Sequence, residues 1–101
     1  MPCYNIHITG AVFKTGFRYY LKAKASLLGI TGRVYYESET SVGITASGTE
    51  EGLKSFIECC SPGNRFFRIV RIEVAEISLQ EFSSFEVEDE MHEIAGIPDN
   101  E

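Results

Sequence analysis

The chain has no tryptophan, only three cysteines, three prolines and two histidines, and no apolar run approaching the ~20 residues of a helical membrane span. The last shortage removes a helical membrane protein from consideration. Met1-Pro2-Cys3-Tyr4-Asn5 lacks the basic and apolar regions of a signal peptide, so the chain reads as cytoplasmic. Cys3, Cys59 and Cys60 are an odd set with no C-x-x-C pair, and adjacent Cys59 and Cys60 do not suit an ordinary disulfide. Reduced, partly buried thiols are expected. His7 and His92 lie far apart with no second ligand at helical or turn spacing, so neither a metal nor another cofactor is expected.

Positive charge is also scarce, but unevenly so. Seven of the fifteen acids fall between Glu86 and Glu101, a stretch without Lys or Arg, leaving eight acids against nine bases in residues 1–85. The net charge of −6 therefore belongs to the C-terminal end, and the body is nearly neutral. Residues 1–88 are expected to form one domain and residues 89–101 an acidic, flexible tail. Duplex nucleic acid, which calls for a basic stripe, is not an expected partner, whereas a small anion is compatible with a neutral body.

What is present is globular: 101 residues, 44% hydrophobic and 24% charged, enough for one core of two packed layers. Tyr4, Ile6 and Ile8 alternate with Asn5, His7 and Thr9 as in a half-buried strand. From Phe17 the period becomes helical through Tyr20, Leu21, Ala25 and Leu28, and Gly29 closes the helix. Residues 30–37 and 41–47 read as a hairpin around a polar turn. Thr49 is an expected N-cap, with Glu50 and Glu51 favoured by the helix dipole; Leu53, Phe56, Ile57 and Cys60 give the second helical stripe. Ser61-Pro62-Gly63-Asn64 ends that helix. A strand over 66–79, with Val70, Ile72 and Val74 on its apolar face, and a short strand over 82–87 complete the expectation.

This order predicts an α+β, ferredoxin-like two-layer sandwich: β-α-β-β-α-β with an extra C-terminal strand, a mainly antiparallel sheet and both helices on one face. That topology hosts many activities, so function rests on a site. The segment with chemistry in it is Gly10-Ala11-Val12-Phe13-Lys14-Thr15-Gly16-Phe17-Arg18. A short connection from a strand into a helix points unpaired N–H groups and the positive end of the helix dipole at one spot. Arg18 adds a planar fork of donors and Lys14 a second positive charge.

In this segment the chain resembles the acylphosphatases, whose signature runs G-x-V-Q-G-V-G-F-R, followed by L-G-L-x-G-W-V-x-N. Gly10, Val12, Gly16, Phe17 and Arg18 match, as do Leu28, Gly29, Gly32 and Val34, and the likeness covers roughly residues 4–88. The resemblance implies hydrolysis of the carboxyl–phosphate bond of small acyl phosphates, without metal or covalent intermediate. It makes Arg18 the phosphate clamp and the backbone N–H groups of Phe13, Lys14, Thr15, Gly16 and Phe17 its cradle. Such a division of labour suits phosphoryl transfer, which needs chiefly positioning and charge stabilisation.

Three departures bear on turnover. Tyr36 stands where the family has a water-orienting asparagine, and the chain's asparagines, Asn5, Asn64 and Asn100, cannot come into register. Weakened hydrolysis, with water held by Tyr36 or a neighbour such as Thr45, is expected, since a phenol lacks an amide's paired donor and acceptor. Phe13 and Lys14 replace the family's Q-G pair, and a positive φ at Lys14 would cost on the order of 1 kcal/mol. The alternative is a non-catalytic acylphosphatase-like domain that binds an anion or a partner through the same loop. An RNA-binding module is disfavoured because Ser41–Ser47 lacks the aromatic strand motif, and Arg65, Arg68 and Arg71 near Phe66 and Phe67 read as solvated bases beside core aromatics.

Overall fold

Tyr4, Ile6 and Ile8 point one way and Asn5, His7 and Thr9 the other along strand β1, Cys3–Ala11, the period of two that a half-buried strand requires. In the computed structural model, which describes residues 2–61 and 67–88, helix α1 follows over Phe17–Leu28 and buries Phe17, Leu21 and Ala25. Gly29 ends it in the left-handed conformation, its N–H donating to the Ala25 carbonyl. Strands β2, Thr31–Ser38, and β3, Ser41–Ser47, are joined by the two residues Glu39-Thr40. Helix α2, Glu50–Cys60, opens on Thr49, whose hydroxyl accepts from the Gly52 amide at 3.0 Å. Strands β4, Arg68–Ile77, and β5, Phe85–Val87, complete the described chain.

The sheet order is β4-β1-β3-β2-β5. β1 lies antiparallel between β3 and β4, β2 is antiparallel to β3, and the short β5 runs parallel to β2. This is the expected ferredoxin-like sandwich with its added strand. Ile6 and Ile8 of β1, Val34 of β2 and Val42 and Ile44 of β3 form one sheet face, which packs on Phe17, Leu21, Leu53 and Phe56 of the helices. Each side chain fully withdrawn from water there contributes about 1.5–3 kcal/mol. Gly32 permits the closest approach: at φ 143° a Cβ would stand 1.8 Å from the Thr45 carbonyl oxygen.

The other face is polar and internally paired. Thr45 donates to Asn5 Oδ1 at 3.1 Å, Ser41 donates to Glu37 Oε1 at 2.8 Å, and His7 Nδ1 lies 2.7 Å from Glu37 Oε2. Burial, and secondarily the Glu37 carboxylate, push the Tyr35 phenol above its ordinary pKa. All three cysteines are free thiols, with Cys3 and Cys60 buried.

Two expectations need correction. Along β4, Val70 is 67% exposed while Ile69 is buried; Val74 lies opposite Ile6 on the expected face, though 43% exposed at the sheet edge. The register against β1 slips between Thr9 and Gly10, so that Thr9 faces Arg71 but Gly10 faces Ile69; the bulge at Val70 turns Ile69 into the core. The last strand is confined to Phe85–Val87 and does not reach back to residue 82. The expected helix stop at Pro62-Gly63-Asn64, the start of the β4 segment at residue 66, and the tail 89–101 lie outside the described residues.

Candidate anion site

The N-termini of the two helices differ. That of α2 is capped by Thr49 and carries Glu50 and Glu51 in its first turn. That of α1 has Gly16 at the cap position, no side-chain cap and no acid in its first turn, so no carboxylate of that turn offsets its positive end. Among the described residues the amides of Phe13, Thr15, Gly16 and Phe17 make no hydrogen bond of normal length and alignment.

Packing on both sides fixes the loop. Val12 is fully buried, and its carbonyl accepts the Thr15 hydroxyl at 2.7 Å, so that hydroxyl is engaged within the loop. Phe17 is fully buried too, with its ring 4.9 Å from that of Phe67, which in turn lies 5.0 Å from Tyr20. Between these anchors Lys14 and Gly16 take φ 58° and 83°. Left-handed residues one apart curl the backbone, and successive N–H groups in such a curl gather on its concave side. Lys14 is the only non-glycine residue with positive φ among the described residues, at a cost of about 1 kcal/mol relative to glycine. The loop is thus left-handed at a lysine, the residue that stands where the resembling signature has glycine.

Arg18 and Tyr36 meet over this loop. The Arg18 guanidinium lies 4.2 Å from the centre of the Tyr36 ring and 5.7 Å from that of Tyr19, and its Nη1 donates to the Glu88 carbonyl. Stacking of a delocalised cation on an aromatic face fixes its plane. The Tyr36 hydroxyl accepts the Lys14 N–H at 2.8 Å. Its own proton faces the Val12 carbonyl at 3.5 Å, the outer limit of a hydrogen bond. The Tyr36 ring packs 4.9 Å from Phe13, and Lys14 Nζ lies 5.4 Å from the Phe13 ring. Two cations thus flank one aromatic pair.

Sequence reading places Phe13, Lys14, Thr15, Gly16, Phe17, Arg18 and Tyr36 together, and the structure brings them together. It separates Thr45 from them. Val42 is the partner of Tyr36 across the ladder, and Thr45, three residues along β3, points to the opposite face, where Asn5 engages it. Thr45 is therefore not a water holder for this site. The Lys14 amide is a further correction to the cradle, because Tyr36 occupies it. Sequence reading missed Glu88, which holds Arg18 through a main-chain carbonyl and faces Arg33 through its carboxylate at 3.5 Å. A carbonyl is common to every residue, so no sequence signal marks that contact.

The acylphosphatase family model matches residues 4–87. An acylphosphatase of Ligilactobacillus salivarius is 38% identical over 88 residues, covering 86% of this chain and 98% of that protein. An acylphosphatase of Bacillus licheniformis is 33% identical over 85 residues, covering 83% and 94%. The crystal structure of acylphosphatase from Bacillus subtilis superposes with a TM-score of 0.81 at 32% identity, covering 88% of this chain and all of that one. With the family model matched over residues 4–87, relatives above 30% identity over most of the chain and the fold shared, the chain belongs to the acylphosphatase family.

Proposed function

We propose that the protein hydrolyses the carboxyl–phosphate bond of small acyl phosphates, slowly, with Tyr36 in place of an amide side chain at the water. The observation that carries this reading is the uncapped start of α1: amides of Thr15, Gly16 and Phe17 without a described partner, beside a guanidinium held flat on Tyr36. A phosphoryl group seated there receives hydrogen bonds from the amides and charge from Arg18 and Lys14. Water attacks phosphorus, the bond to the acyl oxygen breaks, and the carboxylate leaves without needing protonation.

Tyr36 limits the rate in this reading. Its hydroxyl has one lone pair committed to the Lys14 amide and a proton only loosely held by Val12. One donor and one acceptor site remain for a water, against the paired groups of an amide. The free thiols suit a reducing compartment, the cytoplasm.

The test is hydrolysis of benzoyl phosphate by the full chain, together with titration of inorganic phosphate against the loop amide shifts. Measurable turnover that Arg18→Ala removes, with saturable shifts at Thr15, Gly16 and Phe17, is the expected result. Saturable phosphate binding without any turnover would instead establish the second reading, an anion-binding domain. The observation favouring it is the Lys14 amide, which Tyr36 already occupies. Shifts that never saturate would remove both readings.

A further inference from the structure

β4 is an outer strand of the sheet. β1 bonds one side of it, and no described strand bonds the other. An exposed ladder edge is a template for another strand. Charged residues on an edge ordinarily blunt that tendency, because two like edges meet charge against like charge. The residues on this edge are arranged differently.

From Arg68 to Glu76 the chain reads Arg-Ile-Val-Arg-Ile-Glu-Val-Ala-Glu. About Ile72 this segment is its own mirror with the charges reversed. Arg71 mirrors Glu73, Val70 mirrors Val74, and Arg68 mirrors Glu76. When two copies of the strand run antiparallel with Ile72 opposite Ile72, each Arg71 faces the partner's Glu73 and each Val70 the partner's Val74. Arg68 and the partner's Glu76 close both ends. Directly opposed residues on adjacent strands are the pairs that stabilise a sheet.

We propose that β4 pairs with β4 of a second copy in this register, joining two five-stranded sheets into one across a two-fold axis. The side chains that must take part are accessible. Arg71 and Glu73 side chains are 68% and 56% exposed and form an ion pair with each other, 2.5 Å apart along the strand. Pairing therefore exchanges the two within-strand ion pairs of two separate copies for two between strands, leaving neither Arg71 nor Glu73 unmatched. Val70 and Val74, among the largest apolar exposures of the described residues, become covered. The bulge at Val70 interrupts the ladder toward the Arg68 end, where the length of the arginine spans the irregularity. Other registers lose the match: sliding the axis to Val74 sets Ile72 against Glu76 and Glu73 against Ala75.

A ladder of about nine residues buries less than the roughly 1,600 Å² of a standard stable interface. The expected association is reversible, with Kd on the order of 10–100 µM. The anion site is not part of this interface, since its residues belong to the β1–α1 loop and β2.

Sedimentation velocity of the full chain from 5 µM to 1 mM tests the proposal. The weight-average mass should rise from that of one 11.3 kDa chain toward twice that value and no further. Arg71→Glu and Glu73→Arg, each alone, set like charges opposite and should weaken self-association at least tenfold while leaving the circular dichroism spectrum unchanged. An equimolar mixture of the two single variants should associate as the unaltered chain does, and the double variant should recover self-association. Mass that stays at one chain throughout, association indifferent to either single substitution, or a mixture that fails to recover it would each overturn the proposal.

Discussion

The Tyr36 hydroxyl accepts the backbone N–H of Lys14 at 2.8 Å across 22 residues of sequence, tying the second strand to the middle of the anion loop. The same ring carries the Arg18 guanidinium on its face at 4.2 Å. One side chain therefore sets both the curl of the loop and the plane of its arginine. The Tyr36 phenol is therefore a structural part of the loop.

Substitution at Tyr36 should separate those two roles. Tyr36→Phe keeps the ring under Arg18 but leaves the Lys14 amide without its acceptor; a loss of about 1 kcal/mol of stability is expected, with benzoyl phosphate turnover reduced about tenfold or more. Tyr36→Asn should raise turnover, by analogy with the ~10²–10³ attributed to one placed polar group in other hydrolases. It should also cost about 3 kcal/mol, because it empties the space between Phe13 and Arg18. Urea denaturation and steady-state rates give the two numbers, and a fall in rate for Tyr36→Asn would show that the phenol is the better water partner.

Lys14→Gly should move stability and affinity in opposite directions. Glycine adopts φ 58° without the Cβ penalty, so the variant should be more stable by about 0.5–1 kcal/mol, less the entropy that glycine itself loses. Removing the ammonium should weaken phosphate binding severalfold, most clearly at low ionic strength. Calorimetric titration with phosphate at two salt concentrations checks it. Equal affinity for both proteins would mean that the Lys14 charge does not reach the seat.

Alkaline pH should destabilise the fold through Cys60. Burial, with a smaller contribution from Cys59, pushes the Cys60 thiol well above its ordinary value of 9.0. In the unfolded chain that thiol ionises near 9, whereas in the folded protein it stays protonated, so its stabilising contribution is complete below pH 9 and declines as pH rises. The expected slope approaches 1.4 kcal/mol per pH unit from this group between pH 9 and 10, before Tyr35, whose phenol is also raised, adds its own dependence. Cys60→Ala should flatten the profile in that window, and a slope equal to that of the unaltered chain would assign the effect elsewhere. Because Cys59 is only partly buried whereas Cys3 and Cys60 are buried, disulfide-exchange reagents should label Cys59 well before the other two.

Residue order alone determined the two-layer architecture, because period and punctuation are local. The alternation in β1, the stripe of Phe17, Leu21 and Ala25, the Thr49 cap and the glycine at position 29 each act over one or two turns of chain. The loop was legible for the same reason: a strand end, a glycine and a helix start lie within nine residues. Tertiary structure alone decided what depends on contacts far apart in sequence. Whether the Tyr36 phenol stands clear of the loop or enters it depends on how β2 sits relative to α1, and the ladder register sets Thr45 on the face away from Tyr36. The same holds for the Glu88 carbonyl on Arg18 and for Ile69 replacing Val70 in the core through a bulge, since a shift of one residue reverses every side chain beyond it. Composition and period mark the apolar stripes, but register and packing specify which of those residues are buried and which of them meet.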